Sequence, residues 1–332
     1  MAMLRAPSVE GIDPGQCGPR PGCRSWGRKT EMPMTQFRSL FLLADPRHPR
    51  SPAFERTRAL ALASGARVHV AAFGYDRAIA AVALASRSAM EQARDGYMAG
   101  LRHAVEQQAA SLRELGLQVT CSAAWAHPAL PEILVGIAEQ QADLAIVDAA
   151  EQGLAQRLLS QSPDQQLLRR CPVPLMRVLP GDRSLPHRVL VAIDVLEEPV
   201  QNMRLLRDAG ALALQCDATL RLAYVSEPFV VAGSEVFAGG GAGERMEAEI
   251  ERLRRERFDA FVAGVHLPAE LAHYLEGPAA EALCRFAAEQ GCDVMALGVV
   301  PRDRLERWLI GNTAEQVLHH APCGLLALPA AG

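Results

Sequence analysis

The sequence repeats itself with a constant offset of 150 residues, and this repeat limits the fold more than any other feature. Residues 128–143 recur at 278–293 with the same Pro-Ala start, the same Ala-Glu-Gln near the end and the same final aspartate. The offset is unchanged further along, where Pro172 aligns with Pro322. Because one spacing is kept through several successive segments, chance similarity is a poor explanation. The chain is therefore predicted to contain two homologous domains in tandem.

Each copy alternates strand patterns with helix patterns. Short apolar runs predict the strands of the first copy at 39–44, 68–73, 117–122, 144–147 and 174–178. The second copy has predicted strands at 188–193, 219–225, 265–267, 293–299 and 324–328, and predicted helices at 201–215, 246–264, 279–290 and 314–320. Strands that alternate with helices favour right-handed βαβ units and a parallel sheet that is covered on both faces. The predicted fold class is α/β, with two tandem Rossmann-like domains, each a five-stranded parallel sheet with helices on both faces.

The domain boundaries follow from composition. Residues 1–35 are rich in proline and glycine and lack periodicity, so we expect a disordered N-terminal tail. Met34 directly precedes the first strand segment, which indicates a mis-called, over-long start with Met32 or Met34 as the initiator; a genuine flexible tail is the alternative. The first domain is predicted at 36–179 and the second at 187–329, with a short linker between them.

Composition excludes several classes of protein. The chain of 332 residues is 49% hydrophobic and 22% charged, which is typical of folded globular proteins. Its net charge of −4 argues against nucleic-acid binding, which needs a concentrated basic face. No apolar run approaches the ~20 residues of a membrane span, and the first residues lack a signal-peptide pattern. We therefore expect a cytoplasmic protein with neither a nucleic-acid nor a membrane partner.

The sequence contains no recognisable catalytic or metal-binding motif. None of the eight cysteines forms a C-x-x-C pair, and G-x-S-x-G and Walker sequences are absent. The pair His319-His320 lies near Cys323, but an adjacent pair that enters a buried strand is more often structural than metal-binding. The charged run at 244–257 is interpreted as a solvent-exposed helix face with pairs such as Glu251–Arg255. We expect no enzyme activity, no catalytic residue and no metal site.

A candidate binding site follows from the predicted topology. In a doubly wound sheet, ligands bind beyond the carboxyl ends of the strands, where the strand order reverses. In the second copy this edge carries Asp194, after the first strand, and the loop that begins at Gly298, after the fourth. The loop ends in Gly311-Asn312-Thr313, directly before a helix. Glycine lets backbone N–H groups approach a phosphate, and a helix N-terminus supplies free donors and partial positive charge.

These residues resemble the signature of the universal stress protein family, G-x-x-G, nine residues and G-[ST/N], followed by a HAPCP-like lead into the last strand. The resemblance covers residues 37–329, and the wording GNTAEQV is closest to the tandem, two-domain members of the E type. The resemblance implies two domains of the adenine nucleotide alpha hydrolase-like fold and a role in the stress response.

The resemblance also implies where a ligand would lie. In nucleotide-binding members the aspartate after strand one meets the adenine side, and here that residue is Asp194. The residues assigned to an ATP-like ligand in the second domain are Asp194, Gly298, Gly311, Asn312 and Thr313. The sequence departs from the pattern at Pro301, which lacks an N–H donor where the signature has its second glycine. The first copy has Asp148 and Glu151 in place of Gly298 and Pro301, so we expect no nucleotide there.

Two functions are open at this point. The leading hypothesis is a non-catalytic stress-response protein that acts through protein or small-ligand binding and holds no cofactor. The alternative is an ATP-binding switch with the nucleotide held only in the second domain. Asp194 is equally well interpreted as a strand-end cap, and Asn312 or Thr313 as simple N-caps of the following helix.

The resemblance implies a mode of assembly as well. Single-domain relatives pair through their last strands, so residues 174–178 are expected to pair with 324–328 inside one chain. The two domains would then form an intramolecular pseudo-dimer. The remaining exposed surface is expected to support a homodimer.

Overall fold

The computed structural model of the chain describes residues 36–149, 163–228, 242–299 and 312–329. Four features named above, the tail at 1–35, Glu151, Pro301 and Gly311, lie outside these residues. The described residues form ten strands and nine α-helices, and all ten strands belong to one sheet.

Strands and helices alternate along both halves of the chain. The first half contains β1 (Ser39–Leu43), α1 (Pro52–Ser64), β2 (Arg67–Gly74), α2 (Arg77–Val82), α3 (Arg87–Arg113), β3 (Val119–Trp125), α4 (Leu130–Glu139), β4 (Leu144–Asp148), α5 (Pro163–Arg170) and β5 (Leu175–Val178). The second half contains β6 (Arg188–Ala192), α6 (Pro199–Gln215), β7 (Thr219–Ser226), α7 (Ala242–Val265), a short 3-10 helix (Ala269–Leu271), β8 (Ala272–Glu276), α8 (Ala279–Glu289), β9 (Val294–Val299), α9 (Asn312–His320) and β10 (Gly324–Pro329).

Local sequence sets the boundaries of α1. The Ser51 side chain accepts a hydrogen bond from Phe54 N at 3.2 Å, and Pro52 occupies the first turn, where a missing N–H costs nothing. The helix ends at Gly65, whose φ of 69° lies in the left-handed region that favours glycine. Ordinary capping chemistry therefore defines this helix at both ends.

The prediction of the third strand of the second half at 265–267 was wrong. Helix α7 continues to Val265, and His266 then takes a positive φ of 53°. Pro268 precedes the 3-10 helix, so the strand forms only at Ala272–Glu276. A three-residue apolar pattern cannot distinguish the end of a helix from a short strand.

The sheet has the strand order β3-β2-β1-β4-β5-β10-β9-β6-β7-β8. Each half contributes five strands that are parallel to one another, and β5 and β10 pair antiparallel with Met176 opposite Leu326. The two groups of five strands are therefore parts of one sheet and do not form two separate sheets. The strand order reverses between β1 and β4, and again between β6 and β9, which creates a crevice at each of these points.

Helices cover both faces of the sheet, in agreement with the predicted fold class. Along β1, Leu40 and Leu42 belong to one apolar layer and Phe41 to the other, as the alternation of a strand requires. Helices α1, α3, α6 and α7 cover the first layer, and α4, α5, α8 and α9 cover the second. Both layers contain residues from both halves, so the apolar core continues across the β5–β10 junction. Within the described ranges, no helix combines the length and the apolar character needed to cross a membrane.

Candidate functional site

A cavity of about 440 Å³ lies at the carboxyl edge of the second half. It opens at the carboxyl ends of β6 and β9, where the strand order reverses, and is walled by residues from α6, α7, α8 and the first turn of α9. Its volume falls within the ~300–1,000 Å³ of pockets that hold small organic ligands. Three of the predicted residues, Asp194, Gly298 and Thr313, line this cavity together.

Asp194 lies directly after β6 and is held by its own loop. Its Oδ1 accepts a hydrogen bond from Leu196 N at 2.9 Å. Asn202 of α6 fixes the backbone, because its Nδ2 donates to the Asp194 carbonyl at 2.7 Å and its Oδ1 accepts from Asp194 N at 3.3 Å. Asn202 is buried, so the loop is tied firmly to α6. The Asp194 carboxylate therefore has a local structural role and also lines the cavity.

Gly298 keeps the cavity open. A Cβ added at this position would meet Leu205 Cδ2 at 3.9 Å, an ordinary contact distance. Close packing therefore does not require glycine here. The effect of the glycine is that no side chain projects from the end of β9 into the crevice.

The N-terminal turn of α9 forms another wall. Thr313 and Ala314 line the cavity within the first turn of this helix, whose leading N–H groups have no partner inside the helix. Such a turn favours anionic groups through these donors and the helix dipole. Asn312 begins α9, but its side chain, like Gly311, lies outside the described residues.

Arg254 of α7 brings a positive charge to the cavity. Its Nη1 donates to Ser226 Oγ at 3.0 Å and to the Glu227 carbonyl at 2.7 Å, both at the end of β7. Its Nε is buried and has no hydrogen-bond partner among the described residues. Glu227 carries the opposite charge, but its Oε1 is already bonded to Ala279 N at the start of α8, at 2.8 Å. The cavity lining as a whole includes two arginines, Arg204 and Arg254, and four carboxylates, those of Asp194, Glu197, Asp208 and Glu227.

The charged run of α7 is more than the solvent-exposed face expected from the sequence. Glu251 accepts hydrogen bonds from Ser226 Oγ at 2.6 Å and from Tyr274 OH at 2.7 Å. Burial acts to raise the pKa of Glu251, but these bonds together with nearby arginines lower it below its usual value. Arg255, which was expected to pair with Glu251, lies 3.9 Å from the centroid of the Tyr274 ring. Helix α7 is therefore anchored to β7 and β8 by charged side chains.

The equivalent position of the first half carries a carboxylate. Asp148, at the position that corresponds to Gly298, accepts a hydrogen bond through Oδ1 from Ala53 N in the first turn of α1, at 2.7 Å. Its Oδ2 is buried without a partner among the described residues, and burial raises the pKa of this carboxyl group. The first half therefore holds a carboxylate where the second half has open space.

Asp45, the equivalent of Asp194, is also engaged locally. Its Oδ2 lies 3.0 Å from Arg47 Nη2 and 3.0 Å from His48 Nδ1. Burial acts to raise the pKa of Asp45, but these two partners lower it to about 2. The two aspartates that end the first strand of each half therefore have different surroundings.

Sequence reasoning missed Asn202 and Arg254. The signal for Asn202 is a polar residue among the apolar positions of α6, a pattern that indicates a buried hydrogen bond. Arg254 carries no such signal, because its neighbours in the sequence are also charged.

For the His319-His320 pair, the sequence offers metal binding and a structural role as alternatives. Within the described ranges, no three His, Cys, Asp or Glu side chains come together as potential metal ligands. His320 Nδ1 is bonded to the Gln316 carbonyl at 2.9 Å, and Cys323 is buried at the start of β10.

Comparison with known proteins assigns the family. The family model described as "Universal stress protein family" matches residues 41–178 and 186–329. The chain is 24% identical over 310 residues to Universal stress protein E of Escherichia coli (strain K12), an alignment that covers 89% of this chain and 95% of that protein. It is 26% identical over 240 residues to a Universal stress protein E homolog of Haemophilus influenzae, an alignment that covers 68% of this chain and 75% of that protein.

Solved structures share the fold. The chain matches a functionally unknown protein from Pseudomonas aeruginosa PAO1 with a TM-score of 0.66 and 23% identity, over 88% of this chain and 92% of that one. It matches a universal stress protein from Archaeoglobus fulgidus DSM 4304 with a TM-score of 0.56 and 14% identity, over 90% of this chain and 100% of that one. Because the family model matches both halves, which together make up most of the chain, this protein belongs to the universal stress protein family and carries two copies of its domain in tandem.

Proposed function

We propose that this protein is a non-catalytic stress-response regulator that binds a small ligand in the cavity of its second half. The observation that carries the proposal is the difference between equivalent positions. Gly298 places no side chain in the crevice of the second half, whereas Asp148 places a carboxylate at the equivalent position of the first. Because a shared fold supports many functions, the proposal rests on this site and not on the family alone.

A more specific candidate is an ATP-binding switch that is confined to the second half. Complementary groups on different walls of one cavity favour it. Asp194 offers an acceptor suited to an amino group of adenine, whereas Arg254 and the first turn of α9 favour phosphate oxygens. The same arrangement supports binding without turnover, since none of these groups is a nucleophile that is bonded to a base.

Isothermal titration calorimetry with ATP and Mg²⁺ tests this proposal. The variant Gly298→Asp copies the side chain of the first half into the second, at a position where an added Cβ makes only an ordinary contact. We expect the wild-type protein to bind ATP and the variant to bind at least about tenfold more weakly, because a carboxylate repels phosphates in a partly buried site.

The reverse exchange in the first half, Asp148→Gly, is the matched control, and it should leave ATP binding to the second half unchanged. If the wild-type protein does not bind ATP, the nucleotide switch is rejected. If Gly298→Asp binds as tightly as the wild type, the assigned cavity is wrong. Steady release of phosphate from ATP by the wild-type protein would contradict the non-catalytic role.

A further inference from the structure

A second cavity, of about 270 Å³, lies at the opposite edge of the sheet, at the amino ends of β6 and β7. Three arginines from three places in the chain line it: Arg183 precedes β6, Arg188 begins β6 and Arg221 lies in β7. The strands separate this cavity from the one at the carboxyl edge, so the two are distinct.

Arg188 and Arg221 have only weak partners. Arg188 Nη1 lies 3.4 Å from the Gly291 carbonyl, and Arg221 Nη1 lies 3.4 Å from His273 Nε2. Both distances exceed the usual range of a strong hydrogen bond. Arg221 Nε is buried and has no hydrogen-bond partner in the described part of the chain. Two guanidinium groups therefore retain unused donors beside one cavity.

A single carboxylate offsets this charge in part. Asp293 Oδ2 accepts hydrogen bonds from His187 N at 2.7 Å and Arg188 N at 2.9 Å, and its Oδ1 lies 3.4 Å from Arg183 Nε. Guanidinium groups stay charged at every physiological pH, and three of them around one space repel one another. The cavity therefore carries an excess of positive charge that a bound anion would neutralise.

The first half provides an internal comparison, because the same positions of its sheet carry other residues. By strand register, the corresponding pairs are Ser39 and Arg188, Arg67 and Thr219, and His69 and Arg221. Arg67 donates to Ser39 Oγ at 3.0 Å and to the Gln140 carbonyl at 3.1 Å. His69 is bonded through both ring nitrogens to hydroxyl groups of β3, at 2.8 and 2.9 Å. The first half thus satisfies these groups internally, whereas the second half leaves arginine donors around open space.

We propose that Arg188 and Arg221, assisted by Arg183, form a binding site for the phosphate group of a small phosphorylated molecule. The planar guanidinium fork matches pairs of phosphate oxygens, and two such groups suit a dianion. The cavity is slightly smaller than typical pockets for drug-sized ligands, ~300–1,000 Å³, which favours a phosphate that carries a small organic part. The site lies at the other edge of the sheet and does not depend on the proposed function.

Calorimetric titration of the full chain with inorganic phosphate and with pyrophosphate, at constant ionic strength in chloride, tests the site. We expect saturable binding with one site per chain. Arg188→Gln and Arg221→Gln should each weaken it by at least about tenfold, because each removes charged hydrogen bonds to the anion. Arg257→Gln, an exposed arginine of α7 that does not line the cavity, is the matched control and should bind like the wild type.

Two results would overturn the proposal. One is the absence of binding by both anions. The other is equal affinity in Arg188→Gln and Arg257→Gln, which would show attraction by general charge only. Arg188 is exposed, so its variant is expected to fold even if the variant of the half-buried Arg221 does not. Gly298→Asp should leave phosphate binding intact, which separates this test from the ATP experiment.

Discussion

Asp143 and Asp293 hold equivalent backbone groups in the two halves. The Asp143 carboxylate accepts hydrogen bonds from the N–H groups of residues 38–39, at 2.7 and 3.0 Å. The Asp293 carboxylate accepts them from residues 187–188, at 2.7 and 2.9 Å. Each aspartate thereby ties the start of the first strand of its half to the start of the fourth. A constant offset in the sequence identified this pair, but only the hydrogen bonds explain why the residue type repeats.

Asp148 predicts a specific pH dependence of stability. Burial raises its pKa in the folded protein, so the folded state binds this proton more tightly than the unfolded chain does. The stabilisation that Asp148 contributes is therefore fully present below the ordinary Asp pKa, about 3.9. It is lost as the pH rises through the higher pKa that Asp148 has in the folded protein. Asp148→Asn, which stays neutral, should remove this loss and be more stable than the wild type at neutral pH.

Urea unfolding of both proteins at a series of pH values measures this effect. Subtracting the free energies of unfolding of the two proteins leaves the contribution of Asp148 alone. Asp45, whose pKa is lowered to about 2 and whose contribution is lost as the pH falls, is present in both proteins and cancels. Asp95→Asn, at a side chain that is 75% exposed, is the control for the loss of one surface carboxylate. If the free energies of unfolding of the wild type and Asp148→Asn differ by the same amount at every pH, the raised pKa of Asp148 is disproved.

Among the elements, α1 has a role that its sequence does not reveal. Arg56 of α1 is completely buried, and its Nε and Nη2 donate to the Arg183 carbonyl at 3.0 and 2.7 Å. Its Nη2 also lies 3.8 Å from Asp182 Oδ2. Burial lowers the pKa of Arg56, and the nearby Asp182 carboxylate opposes this shift. A helix of the first half thereby fixes the linker to the second half.

Arg56→Met should lower the free energy of unfolding by about 3–5 kcal/mol, because a buried carboxylate and a carbonyl lose their partner. Arg58→Met in the same helix is the matched control. The Arg58 side chain is 38% exposed and pairs with Glu55, so its loss should cost about 1 kcal/mol or less. Denaturant unfolding measures both values, and equal losses would show that the linker contact does not stabilise the protein.

In the whole molecule, β5 and β10 join ten strands into one sheet. Met176 and Leu326 lie opposite each other at this junction, and both are fully buried. Gln215 Nε2 donates to the Phe37 carbonyl at 2.9 Å, which adds a polar contact between the halves. Separation of the halves would expose this apolar junction to water. These contacts support our proposal that the two halves form an intramolecular pseudo-dimer.

Residues 36–186 and 187–329, produced as two separate chains, should therefore associate into a 1:1 complex. Size-exclusion chromatography with light scattering measures the mass of the complex. Leu326→Asp in the second fragment should prevent association, because it places a charge in the buried junction. Two folded fragments that remain monomeric would reject the pseudo-dimer, and the mass of the intact chain tests the expected homodimer in the same experiment.

The candidate site was predicted in part. Asp194, Gly298 and Thr313 were placed at one edge because the carboxyl ends of parallel strands must meet there. Arg254 was missed, because its contact with the end of β7 bridges residues that are 27 and 28 positions apart. The misplaced third strand at 265–267 has a related cause, since its apolar residues belong to the end of α7 and to the core beneath it.

By itself, the sequence determined the duplication, the alternation of strands with helices and the edge of the sheet at which the candidate site lies. These properties follow from periodicity and chain topology, which are written in local patterns. Only the tertiary structure decided which charged groups are satisfied. Asp148 meets α1 across 95 positions and Arg56 meets the linker across 127. A hydrogen bond depends on distances in space, and no local pattern of residues specifies those distances.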